Sequence, residues 1–101
     1  MSVPPAPSAG GLDPLIHEAS RLVIVSVLSE CETADFSFLL GTTNLTRGNL
    51  SSHMARLVGA GYVEETKEFV ERKPHTEYRL TPRGREAYRR YRKAWRQVTR
   101  R

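Results

Sequence analysis

Sixteen residues near the middle of the chain, Thr46–Gly61, do most to limit the folds open to it. Leu50, Met54, Leu57 and Val58 recur there at steps of three and four, the spacing of one buried helical stripe. Thr46 stands before the stripe, where its hydroxyl can cap a helix, and Gly61 stands after it as a stop. Outside the stripe lie Arg47, Gly48, Asn49, Ser52, Ala55, Arg56 and Gly59, a face that is short-chained, polar or cationic and holds no acidic residue. A helix of this kind must be covered on one side, while its other side is left open to water or to a partner.

The flanking sequence supplies the cover. Asp13-Pro14 reads as a helix start, cap then proline, and Leu15, Ile16, Ala19, Leu22, Val23 and Val27 follow at helical spacing to about Glu30. One or two extended residues are expected around Thr33–Phe36. A short helix comes next, capped by Asp35 or Ser37, carrying Phe36, Leu39 and Leu40 and stopped by Gly41, with Thr42–Leu45 as a turn. Beyond Gly61, Tyr62–Val70 and Thr76–Thr81 read as strands joined by the charged loop Glu71-Arg72-Lys73-Pro74-His75. Thr81-Pro82 opens a last helix that runs to about Val98. Residues 1–12, rich in Pro, Ala, Gly and Ser, bury too little to order themselves and are expected to form a disordered tail.

The order α-(β)-α-α-β-β-α, mainly α with a small β-hairpin, predicts a winged helix-turn-helix. Residues 13–81 would form the DNA-binding domain and residues 82–101 a dimerisation helix. The charge is uneven along the chain. Residues 1–45 carry one basic and five acidic residues, whereas residues 46–101 carry fifteen basic and six acidic. A second half with net charge +9 suits a polyanion whose counterions are released on binding.

Several classes drop out. At 101 residues the chain holds one domain at most and has little room for a buried catalytic cleft. It shows no nucleophile–base pair, metal cluster or phosphate loop, so an enzyme is not expected. The longest apolar stretch, Leu22–Leu28, is broken by Ser26 and falls far short of the ~20 residues that span a bilayer. The first residues have neither the charged nor the apolar region of a signal peptide, so a cytoplasmic protein is expected. The single cysteine, Cys31, rules out an internal disulfide framework, and its neighbours Glu30 and Glu32 disfavour a reactive thiolate. His17, His53 and His75 lie in separate elements without a second ligand at useful spacing, so neither metal nor cofactor is expected.

Base reading asks for planar or short donors near a helix N-terminus. Arg pairs bidentately with guanine and Asn with adenine. Arg47, Asn49, Ser52 and Arg56 are therefore the candidates for groove contacts, with Thr46 and Ser51 for the DNA backbone, and Gly48 for close approach of the main chain. The last helix places Tyr88, Tyr91, Trp95 and Val98 on one seam, widened by Ala87 and Ala94, which suits pairing with a second copy.

The stretch Leu45–Val63, LTRGNLSSHMARLVGAGYV, resembles the recognition helix and following strand of winged-helix regulators of the MarR and ArsR types. It is similar above all to a short group of bacterial and archaeal winged-helix domains. The matching residues are Gly48-Asn49-Leu50, Ser51, His53, Met54, Leu57, Ala60-Gly61-Tyr62-Val63, Phe69, Lys73-Pro74, Thr76, Tyr78, Leu80-Thr81 and Gly84-Arg85, within Leu15–Tyr91. The resemblance implies a sequence-specific, double-stranded-DNA-binding transcription regulator that pairs through terminal helices. It also implies a wing that tracks phosphates or enters a minor groove, which makes Arg72, Lys73 and Arg79 the wing candidates. The other reading left open is a winged-helix protein-interaction module whose basic face meets an acidic partner.

Overall fold

The computed structural model describes residues 9–100. A single 3-10 turn, Ala9–Gly11, is followed by α1 (Ala19–Ser29), β1 (Ala34–Asp35), α2 (Phe36–Thr43), α3 (Arg47–Gly59), β2 (Val63–Val70), β3 (Lys73–Leu80) and α4 (Pro82–Thr99). The three strands form one antiparallel sheet in the order β1-β3-β2. Residues 1–8 of the expected tail lie outside the described residues. Its last part is corrected: Ala9–Gly11 forms an ordered turn against the last helix, and Leu12 is buried against Ile16 and Tyr91.

The main core joins Ile24, Val25 and Leu28 of α1, Leu39 of α2, Leu50, Met54 and Leu57 of α3, and Val63, Tyr78 and Leu80 of the sheet. The stripe foreseen on α3 is therefore the part of that helix that holds the domain together. Leu50 and Leu57 are fully buried, and removing such a side chain costs about 2–5 kcal/mol.

Caps set most boundaries. The Asp35 carboxylate accepts from Phe38 N (2.7 Å), Thr46 Oγ1 from Asn49 N (3.1 Å) and Thr81 Oγ1 from Gly84 N (3.0 Å). At the end of α3, Gly61 takes φ +80°, while its N–H reaches Val58 O and that of Tyr62 reaches Leu57 O. This is a Schellman closure that needs a left-handed residue at Gly61.

Three boundaries differ from the sequence expectation. Asp13 does cap a turn, accepting from Leu15 N through its side chain and from Ile16 and His17 N through its carbonyl. That turn stops at Glu18, which is extended and caps α1 anew by accepting from Arg21 N (2.9 Å). The break turns Leu12 and Ile16 onto Tyr91 of α4 in a second, smaller apolar cluster. Gly41 does not stop α2. The helix runs on to Thr43 and ends at Asn44, which takes the left-handed conformation (φ 58°).

The hairpin turn is two residues long rather than five. Val70 pairs with Lys73, leaving Glu71 and Arg72 at the tip, both with positive φ (51° and 67°). Turns of this kind favour Asn-Gly, so Glu-Arg gave no local signal, and Pro74 argued against a strand. Pro74 is tolerated because β1 pairs with β3 only at Tyr78 and Glu77, which leaves β3 an edge on that side at the tip.

The base of α4 is locked to the hairpin. Thr81 N donates to Tyr62 O (3.0 Å) and Thr81 Oγ1 to Gly61 O (2.6 Å). A Cβ at Gly84 would stand 2.1 Å from Tyr62 O, so backbone meets backbone there and only glycine fits. Arg85 reaches across to donate to Ser29 O and Cys31 O, satisfying carbonyls at the end of α1.

Candidate nucleic-acid interface

The outward face of α3 is as the sequence spacing required. Thr46, Arg47, Gly48, Asn49, Ser51, Ser52, Ala55, Arg56 and Gly59 are all exposed. Among the described residues neither Arg47 nor Arg56 has a carboxylate within 4.0 Å, so their donors are free for an external acceptor. The Arg47 guanidinium lies 6.0 Å from the centre of the Phe36 ring, which steadies it at the start of the helix. Thr46 spends its oxygen on the cap but keeps its O–H as a donor. At Gly48 a Cβ would meet nothing within 4 Å, so the packing of this chain does not demand a glycine there.

His53 sits beside the stripe, half-buried, with Nδ1 3.2 Å from Arg21 Nη1. A guanidinium can only donate, so Nδ1 is the acceptor in this contact, and Glu18 Oε1 stands 3.9 Å from the same nitrogen. Arg21 also donates to Leu15 O (2.6 Å) and lies 3.9 Å from Glu18, so it ties the first turn, α1 and α3 together. Sequence spacing did not reveal this role, which depends on three elements meeting.

The wing is less basic than it looked. Val63–Leu80 holds five acidic and four basic residues, a net charge of −1. Arg79 is committed to Glu64 at 2.9–3.0 Å, and Lys67 lies 3.7 Å from Glu65. Arg72 and Lys73 at the tip have no carboxylate within 4.0 Å among the described residues, which leaves them as its free cations. The positive charge of the second half resides mainly in residues 82–101, with nine basic residues against Glu86 alone. The hairpin register also brings His75 between acids, which the sequence reading had kept apart. Glu68 lies opposite His75, and Glu77 Oε2 is 3.1 Å from His75 Nε2.

Of the seam on α4, Tyr91 is taken up inside the chain. It is buried against Leu12 and Ile16, with its hydroxyl 2.9 Å from His17 Nδ1. Val98 packs in the same cluster, and Tyr88 borders both cores. Trp95 remains 46% exposed and faces a groove of about 490 Å³ between α1 and α4, where Val23 is 45% exposed.

Two tyrosines tie the wing to the body. Tyr62 Oη donates to Asp13 Oδ2 (2.5 Å); burial, and then that carboxylate, push its pKa up to about 12. Tyr78 is likewise raised to about 12 by burial and by its hydrogen bond to Glu65.

A helix-turn-helix whose second helix turns an acid-free face to solvent beside a two-stranded wing defines a winged-helix DNA-binding module. The chain belongs to the winged-helix DNA-binding domain family, whose profile matches residues 20–99. It is 31% identical to an uncharacterized protein of Methanocaldococcus jannaschii over 77 residues, 76% of this chain and 84% of that one. Its fold is similar to that of a transcriptional regulator homologue from Pyrococcus horikoshii (TM-score 0.78, 31% identity, 83% of each chain covered). It is also similar to that of NadR in complex with 4-hydroxyphenylacetate (TM-score 0.70, 22% identity, 84% of this chain and 62% of that one), a likeness of fold alone. Among the described residues no helix is long and apolar enough to cross a membrane.

Proposed function

We propose that this protein is a transcription regulator that binds double-stranded DNA sequence-specifically as a homodimer. The observation that carries the reading is the outward face of α3, wholly exposed, acid-free and armed with two arginines that no carboxylate among the described residues engages. In this reading α3 enters the major groove. Arg47, Asn49, Ser52 and Arg56 face base edges, and Thr46 and Ser51 meet phosphates. Arg72 and Lys73 extend the contact from the wing, while Arg79 contributes little because Glu64 already holds it. The regulator homologue from Pyrococcus horikoshii, similar over most of its length, supports the regulatory role.

Pairing of two copies is supported by the α1–α4 groove, where Trp95 and Val23 are exposed together beside Tyr88. Tyr91 and Val98 would shape that surface from beneath. A dimer would set two α3 helices into successive major grooves about 34 Å apart. The role places the protein in the cytoplasm, with the DNA it reads, and calls for no catalytic group.

The deciding experiment is selection of bound duplexes from a random pool by the purified full chain. Enrichment of an inverted repeat, with half-sites one helical turn apart or a multiple of it, is the expected result. A pool that stays flat at moderate salt would overturn specific DNA binding and favour the protein-interaction module instead.

A further inference from the structure

The wing ends in large apolar side chains that nothing among the described residues covers. Phe69 is 77% exposed and Val70 48% exposed, and Pro74, directly across from Phe69, is exposed as well. Strand alternation sorts the hairpin into two faces. Glu64, Glu68, His75 and Glu77 share one of them. Phe69 and Pro74 share the other with Lys67 and Thr76, while Glu65 on that face lies nearer the base, tied to Tyr78 and Lys67. The acids of the strands other than Glu65 therefore stand on the face away from the apolar pair. The turn itself holds Glu71 and Arg72, and Lys73, paired with Val70, lies on the face opposite Phe69. The tip is also narrow, since two residues in left-handed conformation close it.

We propose that this tip is a minor-groove wedge: Phe69, backed by Pro74, inserts at a base step of the duplex that α3 occupies and bends it. The proposal rests on the DNA-binding reading above. Phe and Pro are side chains that unstack a base step from the minor groove and kink the duplex toward the major groove. A cation at the tip meets the deepest negative potential of a narrow groove; Arg72 at the turn is free to do so, and Lys73 on the opposite face can reach the groove wall. An acidic protein partner would equally attract the two cations. A solvent-facing aromatic at the end of a hairpin, next to a helix shaped for the major groove, favours the duplex as occupant.

The test uses the full chain and a duplex with a donor dye on one end and an acceptor on the other. Binding is read by anisotropy and bending by energy transfer in the same sample. The wild-type protein should bind and raise the transfer. Phe69→Ala should bind roughly tenfold more weakly, the scale of a lost aromatic–base contact, with transfer at the level of free duplex. Phe69→Leu should restore the bend, because leucine also serves as a wedge. Binding by the wild type without a change in transfer, or a Phe69→Ala complex as bent as the wild type, would overturn the wedge and leave DNA binding intact. Absence of any wild-type binding would overturn both readings. Phe69→Ala converting an oligomer to a smaller species without DNA would instead mark the tip as a contact between copies.

Discussion

Helix α3 and the wing are neighbours in the chain, yet they are organised in opposite ways. In α3 the two faces are cleanly divided, with Leu50, Met54 and Leu57 buried, Val58 half-buried beside them, and Arg47, Asn49 and Arg56 exposed outside. The division follows helical periodicity, so each side chain has one role. The wing past Val63 is almost entirely exposed on β2 and mixes both charges, pairs some of them, and presents its largest apolar group to solvent. A helix can store stability and recognition on separate faces. A two-stranded extension beyond the core has no buried face left, so its affinity depends on which charges neutralise one another.

The sharpest contrast is in stability. Leu57→Ala should cost about 2–5 kcal/mol in chemical denaturation, because its site is fully buried. Phe69→Ala, mostly in solvent, should stay within about 0.5 kcal/mol. Equal losses at the two sites would break the comparison. In binding, Arg47→Ala should cost roughly 1–3 kcal/mol and relax preference at one base position, measured by competition among single-base variants of the selected site. Lys73→Ala should weaken all sequences alike and flatten the salt slope by roughly one unit. Glu64→Ala should do the reverse, releasing Arg79 for phosphate and steepening the slope.

A smaller effect separates packing from recognition within α3. Gly48→Ala should stabilise the protein by about 0.5–1 kcal/mol, since alanine is the better helix former and a Cβ there meets nothing. The same change should weaken DNA binding if the backbone approaches the duplex at that point. An alanine variant both more stable and equally tight would remove Gly48 from the interface.

A further effect appears only at alkaline pH. The pKa values of Tyr62 and Tyr78 are raised from 10.0 to about 12 in the folded protein. The folded state therefore holds these protons more tightly than the unfolded chain does. Their contribution to stability is complete below pH 10 and is lost as the pH rises toward 12. Tyr62→Phe should reduce the alkaline fall in denaturation midpoint, and an unchanged fall would show that the tie to Asp13 does not couple wing to body.

Much of the fold was legible because its signals are local. The α3 stripe arises from steps of three and four, and the caps at Asp35, Thr46 and Thr81 from a side-chain oxygen within three residues of the N–H that it serves. Gly61 closes α3 through a backbone angle that its lack of a side chain permits. These settled where the candidate recognition helix lies and which of its residues face outward. The rest turned on partners distant in sequence. Glu18 recaps α1 where the chain bends to lay Ile16 on Tyr91, and that burial removes Tyr91 from the seam the last helix seemed to offer. The two-residue turn sets a register that locks Arg79 to Glu64 and leaves Arg72 and Lys73 free. Side-chain identity along one element decides its buried face; which charges remain available depends on the elements that fold against it.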